Sequence, residues 1–160
     1  MSSGISPGRW ADRAVTRPRV AILAQDLVWA DRLARSTEAA GGEPARAKTA
    51  PELDRALVCA DHAIVDLTAR AYDPIAAIER ASASGARVLA VGPHDDVALR
   101  KRAFAAGADK VLAYRKLFED GPATIARWLA GTGAGTGSDG GTGTGADGAT
   151  AGPALPATTR

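Results

Sequence analysis

The stretch His62-Ala63-Ile64-Val65-Asp66-Leu67 narrows the architectures open to this chain more than any other. It is short, β-branched at its centre and apolar without alternation, and it lies between Ala60-Asp61 and the later Asp73-Pro74 turn. Such a run reads as a strand covered on both faces, as in the middle of a parallel sheet. Asp66 then emerges at the carboxyl end of that strand. In open α/β sheets this edge is where ligands bind, so the surroundings of Asp66 decide what the chain can do.

The rest of the sequence supplies the partners such a strand needs. Residues 1–18 carry Gly4, Pro7, Gly8 and Pro18 with little periodicity, and read as a flexible leader in which Trp10 either docks or stays exposed. Arg19 to Ala24 is a second buried strand. It is followed by a helix from Leu27 to Ala40 with Ala30, Leu33, Ala34 and Thr37 on one side and Gly41-Gly42 as its stop. A weak strand at about Pro44 to Lys48 is polar enough for an edge. Thr49-Ala50-Pro51-Glu52 has capping-box spacing and opens a helix that buries Leu53, Ala56 and Leu57. Cys59 reads as a small buried hydrophobe.

After the central strand and a loop through Tyr72, Asp73-Pro74 starts a helix that buries Ile75 and Ile78 and stops at Gly85. Arg87 to Val91 is the fourth strand. Asp95 or Asp96 caps a helix running to Ala106 and Gly107, Lys110 to Tyr114 is the fifth strand, and Pro122 to Ala130 is the last helix. Alternating strands and helices with two-sided burial predict an α/β fold, a flavodoxin-like five-stranded parallel sheet in the order 2-1-3-4-5 with helices on both faces. The folded unit spans 19–130. Residues 131–160, rich in Gly, Ala and Thr, read as a disordered tail.

Composition removes several function classes. A net charge of +2 gives no general attraction to nucleic acid or anionic lipid, and Arg100-Lys101-Arg102 with the basic leader makes only a weak case for DNA. With a single cysteine the chain has no internal disulfide and too few thiolates for a structural zinc site, which fits a reducing cytoplasm. No run approaches the length needed to cross a bilayer.

At the carboxyl edge the sheet gathers Gln25 and Asp26 after the first strand, Asp66 and Thr68 after the third, Gly92 and His94 after the fourth, and Tyr114 at the fifth. Asp26 and Asp66 from adjacent strands form an oxygen pair suited to Mg²⁺. Asp26 equally suits the cap of the helix that begins at Leu27. His94 reads as a loop or cap residue, and His62, at the far end of its strand, does not reach the site. Here the chain resembles the response-regulator receiver (CheY-like) domain, through Ile64-Val65-Asp66, Val88-Leu89-Ala90-Val91 and Ala106-Gly107-Ala108-Asp109, over roughly 19–130.

The resemblance implies that Asp66 stands at the phosphoacceptor position served by a histidine kinase, with Asp26 and Asp66 as the metal ligands for Mg²⁺. It also exposes departures. Gln25 replaces one acid of the metal pair, Gly92 stands where a hydroxyl residue is usual, and Tyr114 stands where a lysine is usual. Phosphoryl transfer depends on positioning and on neutralising the equatorial oxygens, so the resemblance implies a degenerate, pseudo-receiver variant. Rescue by Arg115 or Lys116 meets the difficulty that neighbours on a strand face opposite ways.

On the helix after the fourth strand, Leu99, Ala103 and Ala106 point inward, leaving Val97, Arg100, Lys101 and Phe104 as an interface candidate; in receivers this surface serves dimers and outputs. The expected function is a stand-alone receiver-like signalling module that works through a protein partner, a histidine kinase or an output protein, without an enzymatic activity of its own. The alternative is a small flavodoxin-like ligand-binding protein or enzyme. Against it, Ala24-Gln25-Asp26-Leu27 lacks the glycines that let backbone approach a pyrophosphate.

Overall fold

The computed structural model describes residues 16–131. The elements in order are β1 (Arg19–Leu23), α1 (Leu27–Ala39), β2 (Glu43–Ala47), α2 (Ala50–Leu57), β3 (His62–Asp66), α3 (Pro74–Ala83), β4 (Arg87–Gly92), α4 (Val97–Ala105), β5 (Lys110–Ala113) and α5 (Tyr114–Leu129). The strands form one parallel sheet in the order β2-β1-β3-β4-β5, as the alternation of elements required. Most of the leader, with Trp10, and all of the Gly/Ala/Thr-rich tail except Gly131 lie outside the described residues.

Because strand side chains alternate, the central strands feed two cores. On one face Val20, Ile22, Ile64, Leu89 and Val91 meet Leu33 of α1 and Leu117, Ile125 and Trp128 of α5. On the other, Ala21, Leu23, Val65, Val88 and Ala90 meet Leu53 of α2, Ile78 of α3 and Ala103 of α4. Every residue of β3 is buried. At about 1.5–3 kcal/mol for each large aliphatic side chain withdrawn from water, these two layers are what hold the sheet between its helices.

Side-chain caps set the start of four helices: Asp26, Thr49, Asp73 and Asp96 each accept from an amide in the first turn. The inward set of α1 is Ala30, Leu33, Ala34 and Thr37, as its spacing indicated. At the end of α4, Gly107 takes φ 107° and a Cβ there would collide with Ser82, so the turn into β5 requires glycine twice over.

Four local expectations need correction. Glu52 does not close a capping box on Thr49; its Oε2 accepts from Lys48 N at 2.7 Å, one residue further back. Cys59 is exposed, because α2 ends at Leu57 and leaves it in the loop beyond the last buried turn. Strand β2 begins at Glu43, one residue early. Strand β5 stops at Ala113, and Tyr114 begins α5, which extends back past Pro122. Proline lacks an amide hydrogen and crowds the preceding turn, and the chain leaves helical geometry at Asp120 (φ −151°, ψ 46°) before resuming. Leu117, buried against the sheet, is what holds the extra segment.

At the opposite end of β3, His62 is only 9% exposed and neither ring nitrogen has a partner. Its ring meets Trp128 edge-on at 5.0 Å. Burial, with help from Arg87, holds the imidazole below its ordinary value of 6.5, against the opposing pull of Asp61 and Asp109. A lowered folded-state value means the unfolded chain takes up the proton first. Stability is therefore full above about pH 6.5 and declines as pH falls below it. Urea unfolding across this range should show that decline, and a His62→Phe variant, which keeps a ring against Trp128, should lack this component of it.

Candidate functional site

The register places the ends of the central strands side by side, with Leu23 opposite Val65, Asp66 opposite Val91 and Gly92 opposite Ala113. Gln25, Asp26, Asp66, Thr68, Gly92 and Tyr114 accordingly share the carboxyl edge. Asp66 is 2% exposed, being the last residue of a strand covered on both sides. A carboxylate there must find donors.

It finds them on a single oxygen. Asp66 Oδ1 accepts from Thr68 N at 2.9 Å, from Thr68 Oγ1 at 2.9 Å, and from the Tyr114 hydroxyl. The two hydroxyls are themselves 2.7 Å apart. The Thr68 amide bond is the i to i+2 contact that aspartate makes at turns. Tyr114 comes from the far side, because α5 begins one residue sooner than a longer strand would allow. Burial, and then the hydrogen bond to Asp66, raises the tyrosine well above its ordinary value of 10.0, so the phenol stays protonated and donating.

The loop after β3 is fastened independently. Gln25 Oε1 accepts from Arg70 N at 2.9 Å and Ala71 N at 3.1 Å. The Tyr72 hydroxyl lies 3.0 Å from both Leu23 O and Asp66 O, joining the ends of β1 and β3. Burial and the Asp66 charge likewise raise the Tyr72 hydroxyl above its ordinary range. Asp26, exposed, accepts from Trp29 N at 3.0 Å as the cap of α1.

These engagements bear on whether the edge suits Mg²⁺, which takes a near-octahedral set of oxygens. Gln25 Oε1 is committed to two amides, Asp26 to a helix end, and Asp66 Oδ1 to three donors. Hydrogen-bond donors, not further oxygen ligands, gather at Asp66 Oδ1. Among the described residues no group of three His, Cys, Asp or Glu side chains is placed to hold a metal. As arranged, the side chains do not fit the ion.

Gly92 ends β4 against Leu67. A Cβ at this position would lie 3.0 Å from Leu67 Cδ1 and 3.1 Å from its Cβ, so a hydroxyl residue here requires Leu67 to move. His94 lies exposed in the loop before α4. Arg115 and Lys116 are exposed on α5, and Arg115 Nε is paired with Glu119 Oε1 at 2.8 Å. Both belong to a helix, not to the strand on which their directions were reasoned. Val97, Arg100, Lys101 and Phe104 lie together on the exposed side of α4.

Sequence reasoning did not find Tyr72 or the aromatic packing behind Tyr114. The Trp29 ring lies 4.3 Å from Tyr114 and 5.1 Å from Phe118, and the Arg32 guanidinium sits 3.7 Å above Phe118. The available signal was the four-residue spacing of Tyr114 and Phe118, which puts both on one face once α5 is seen to start at Tyr114.

No protein-family model matches the sequence, and no curated protein matches it. Solved structures do match. A response regulator from Thermotoga maritima is 16% identical over 71% of this chain and 98% of its own, with a TM-score of 0.62. The fold is that of a receiver domain. A CheY-like receiver protein from Methanospirillum hungatei is 20% identical over 72% of this chain and 96% of its own, at a TM-score of 0.59. A Burkholderia pseudomallei response regulator bearing a phosphorylated aspartic acid and a calcium ion is 21% identical over 73% of each chain, at 0.57. The receiver fold thus spans the described part of this protein.

Two substitutions probe the seal. Tyr114→Phe keeps the ring on Trp29 but removes a donor from a buried carboxylate, and should cost about 1.5–3 kcal/mol in urea unfolding. Gly92→Ser overpacks the contact with Leu67 and should cost about 1–3 kcal/mol. Part of the second loss should return when Leu67→Ala is added, read as a favourable coupling in a double-mutant cycle.

Proposed function

We propose that the protein is a receiver-fold signalling module that works by protein contact and in which Asp66, at the phosphoacceptor position, is held out of phosphoryl transfer. It is a module of the cytoplasm, has no enzymatic activity of its own, and acts through a histidine kinase or an output protein. The observation that carries the reading is the seal on Asp66 Oδ1 by Thr68 and Tyr114.

A carboxylate that attacks phosphorus needs a free lone pair, and the oxygens of the transferring group need positive charge around them. Three donors already engage Asp66 Oδ1 and stabilise the negative charge that an attack would use. Tyr114 brings a neutral phenol to the lysine position, and Gly92 offers the hydroxyl position only a backbone N–H. Mg²⁺ would fall to Asp26 and Asp66, each with its Oδ1 already engaged, so weak or absent binding belongs to the same reading. Retention of the fold without the transfer chemistry leaves the surface as the working part. The exposed side of α4, with Val97, Arg100, Lys101 and Phe104, is the interface assigned by this reading.

Intact mass after incubation with acetyl phosphate and Mg²⁺ tests it. The expected result is an unchanged mass and a tryptophan emission that neither Mg²⁺ nor beryllium fluoride alters, Trp29 being stacked on Tyr114. Gain of one phosphoryl group, absent from Asp66→Asn, would overturn the reading.

A further inference from the structure

The amino end of the sheet, opposite the Asp66 edge, holds a buried titratable group that nothing at the carboxyl edge uses. His62 opens β3, and neither of its ring nitrogens is hydrogen-bonded among the described residues. Buried polar groups as a rule have a partner. Here the ring has instead the edge-on contact with Trp128, itself buried.

Trp128 is also where the end of α5 is tied down. Its carbonyl accepts from Arg87 Nη1 at 2.8 Å and from Gly131 N at 3.2 Å, and Gly131 takes φ 72° as the helix stops. The ring and the carbonyl of one residue therefore fasten α5 to the first residues of β3 and β4, and those two, His62 and Arg87, are register partners. Of the five residues from Arg127 to Gly131, Trp128 alone is buried.

A proton on the ring would find no acceptor prepared for it. The charges acting on His62 are Arg87 of β4, Asp61 just before β3 and Asp109 just before β5. Asp109 Oδ2 accepts from Val88 N at 2.6 Å, and Asp61 is exposed to water. Strand β1 runs alongside with Val20 in register, and Arg127 of α5 is engaged with Asp120 and the Ala123 carbonyl. Imidazolium and guanidinium would thus repel each other across the residue that both hold.

We propose that protonation of His62 releases the last turn of α5. The charged ring leaves Trp128 for water, and residues 127–131 come away from the sheet while the two cores stay closed. Opening a helix end with one buried side chain costs far less than unfolding the domain. The device answers to protons, works at the end of the sheet remote from Asp66, and is independent of whether Asp66 accepts a phosphoryl group.

The test is amide hydrogen exchange on the isotope-labelled full chain, followed by NMR between pH 7.5 and 5 and expressed as protection factors, so that the intrinsic pH dependence of exchange is removed. Protection of amides 127–131 and of the Trp128 indole should lie below that of β3 and β4 at every pH. It should fall by up to about tenfold per pH unit below the ordinary imidazole value of 6.5, because the released ring takes up the proton first. Low urea should leave it unchanged, as expected of a local opening that exposes little surface. Two variants that cannot titrate, His62→Phe and His62→Gln, should each make protection of 127–131 independent of pH, whatever its level.

Protection at 127–131 that ignores pH in the unmodified chain overturns the proposal. A pH dependence that persists in either variant does the same. So does a protection and urea dependence at 127–131 equal to that of β3 and β4, which would mean that the helix end opens only when the whole domain unfolds.

Discussion

A carboxylate at the end of a strand buried on both faces has to be satisfied by whatever the neighbouring elements bring to it. Asp66 is in that position, and much of the carboxyl edge is arranged around the requirement. The Thr68 turn, the early start of α5 that delivers the Tyr114 hydroxyl, and the Tyr72 bridge between β1 and β3 all converge on this residue. Remove the burial, and water would do the same work without any of them.

The same requirement ties Tyr114, Gln25 and Gly92 together. Tyr114, the first residue of α5, donates to the carboxylate and stacks on Trp29. With the oxygen engaged, an acid in place of Gln25 would face a negative neighbour without a cation between them; the amide of Gln25 instead holds two backbone N–H groups of the β3–α3 loop. Gly92 leaves room for Leu67 to close over the strand end. All three positions are engaged in internal contacts.

Away from the edge, α4 separates what folding uses from what it leaves over. Ala103 is buried and Leu99 and Ala106 partly so, while Val97 and Phe104 remain outside with three cations that make no ion pair among the described residues. Elsewhere on the described surface most arginines near an acid are paired with it, as Arg46 with Asp31 and Arg80 with Asp54.

Much of this was legible in the order of residues. The apolar run at Ile64-Val65, the inward set of α1, the cap at Asp73 and the strand order follow from periodicity and from local hydrogen bonds, which depend on residues a few positions apart, whereas the caps at Asp26 and Asp96 were each one of two readings the sequence left open. The sequence by itself therefore determined the sheet and brought Asp66 to its rim. It did not determine what meets Asp66 there. Cys59 came out exposed and α5 began at Tyr114 because packing, not propensity, chose where those elements end. The bond between Tyr114 and Asp66 joins residues 48 positions apart. Only the folded chain, by closing β5 beside β4 and turning at once into a helix, decided that a phenol and not a cation would face the carboxylate, since contacts between distant residues exist only once burial has fixed both of them in place.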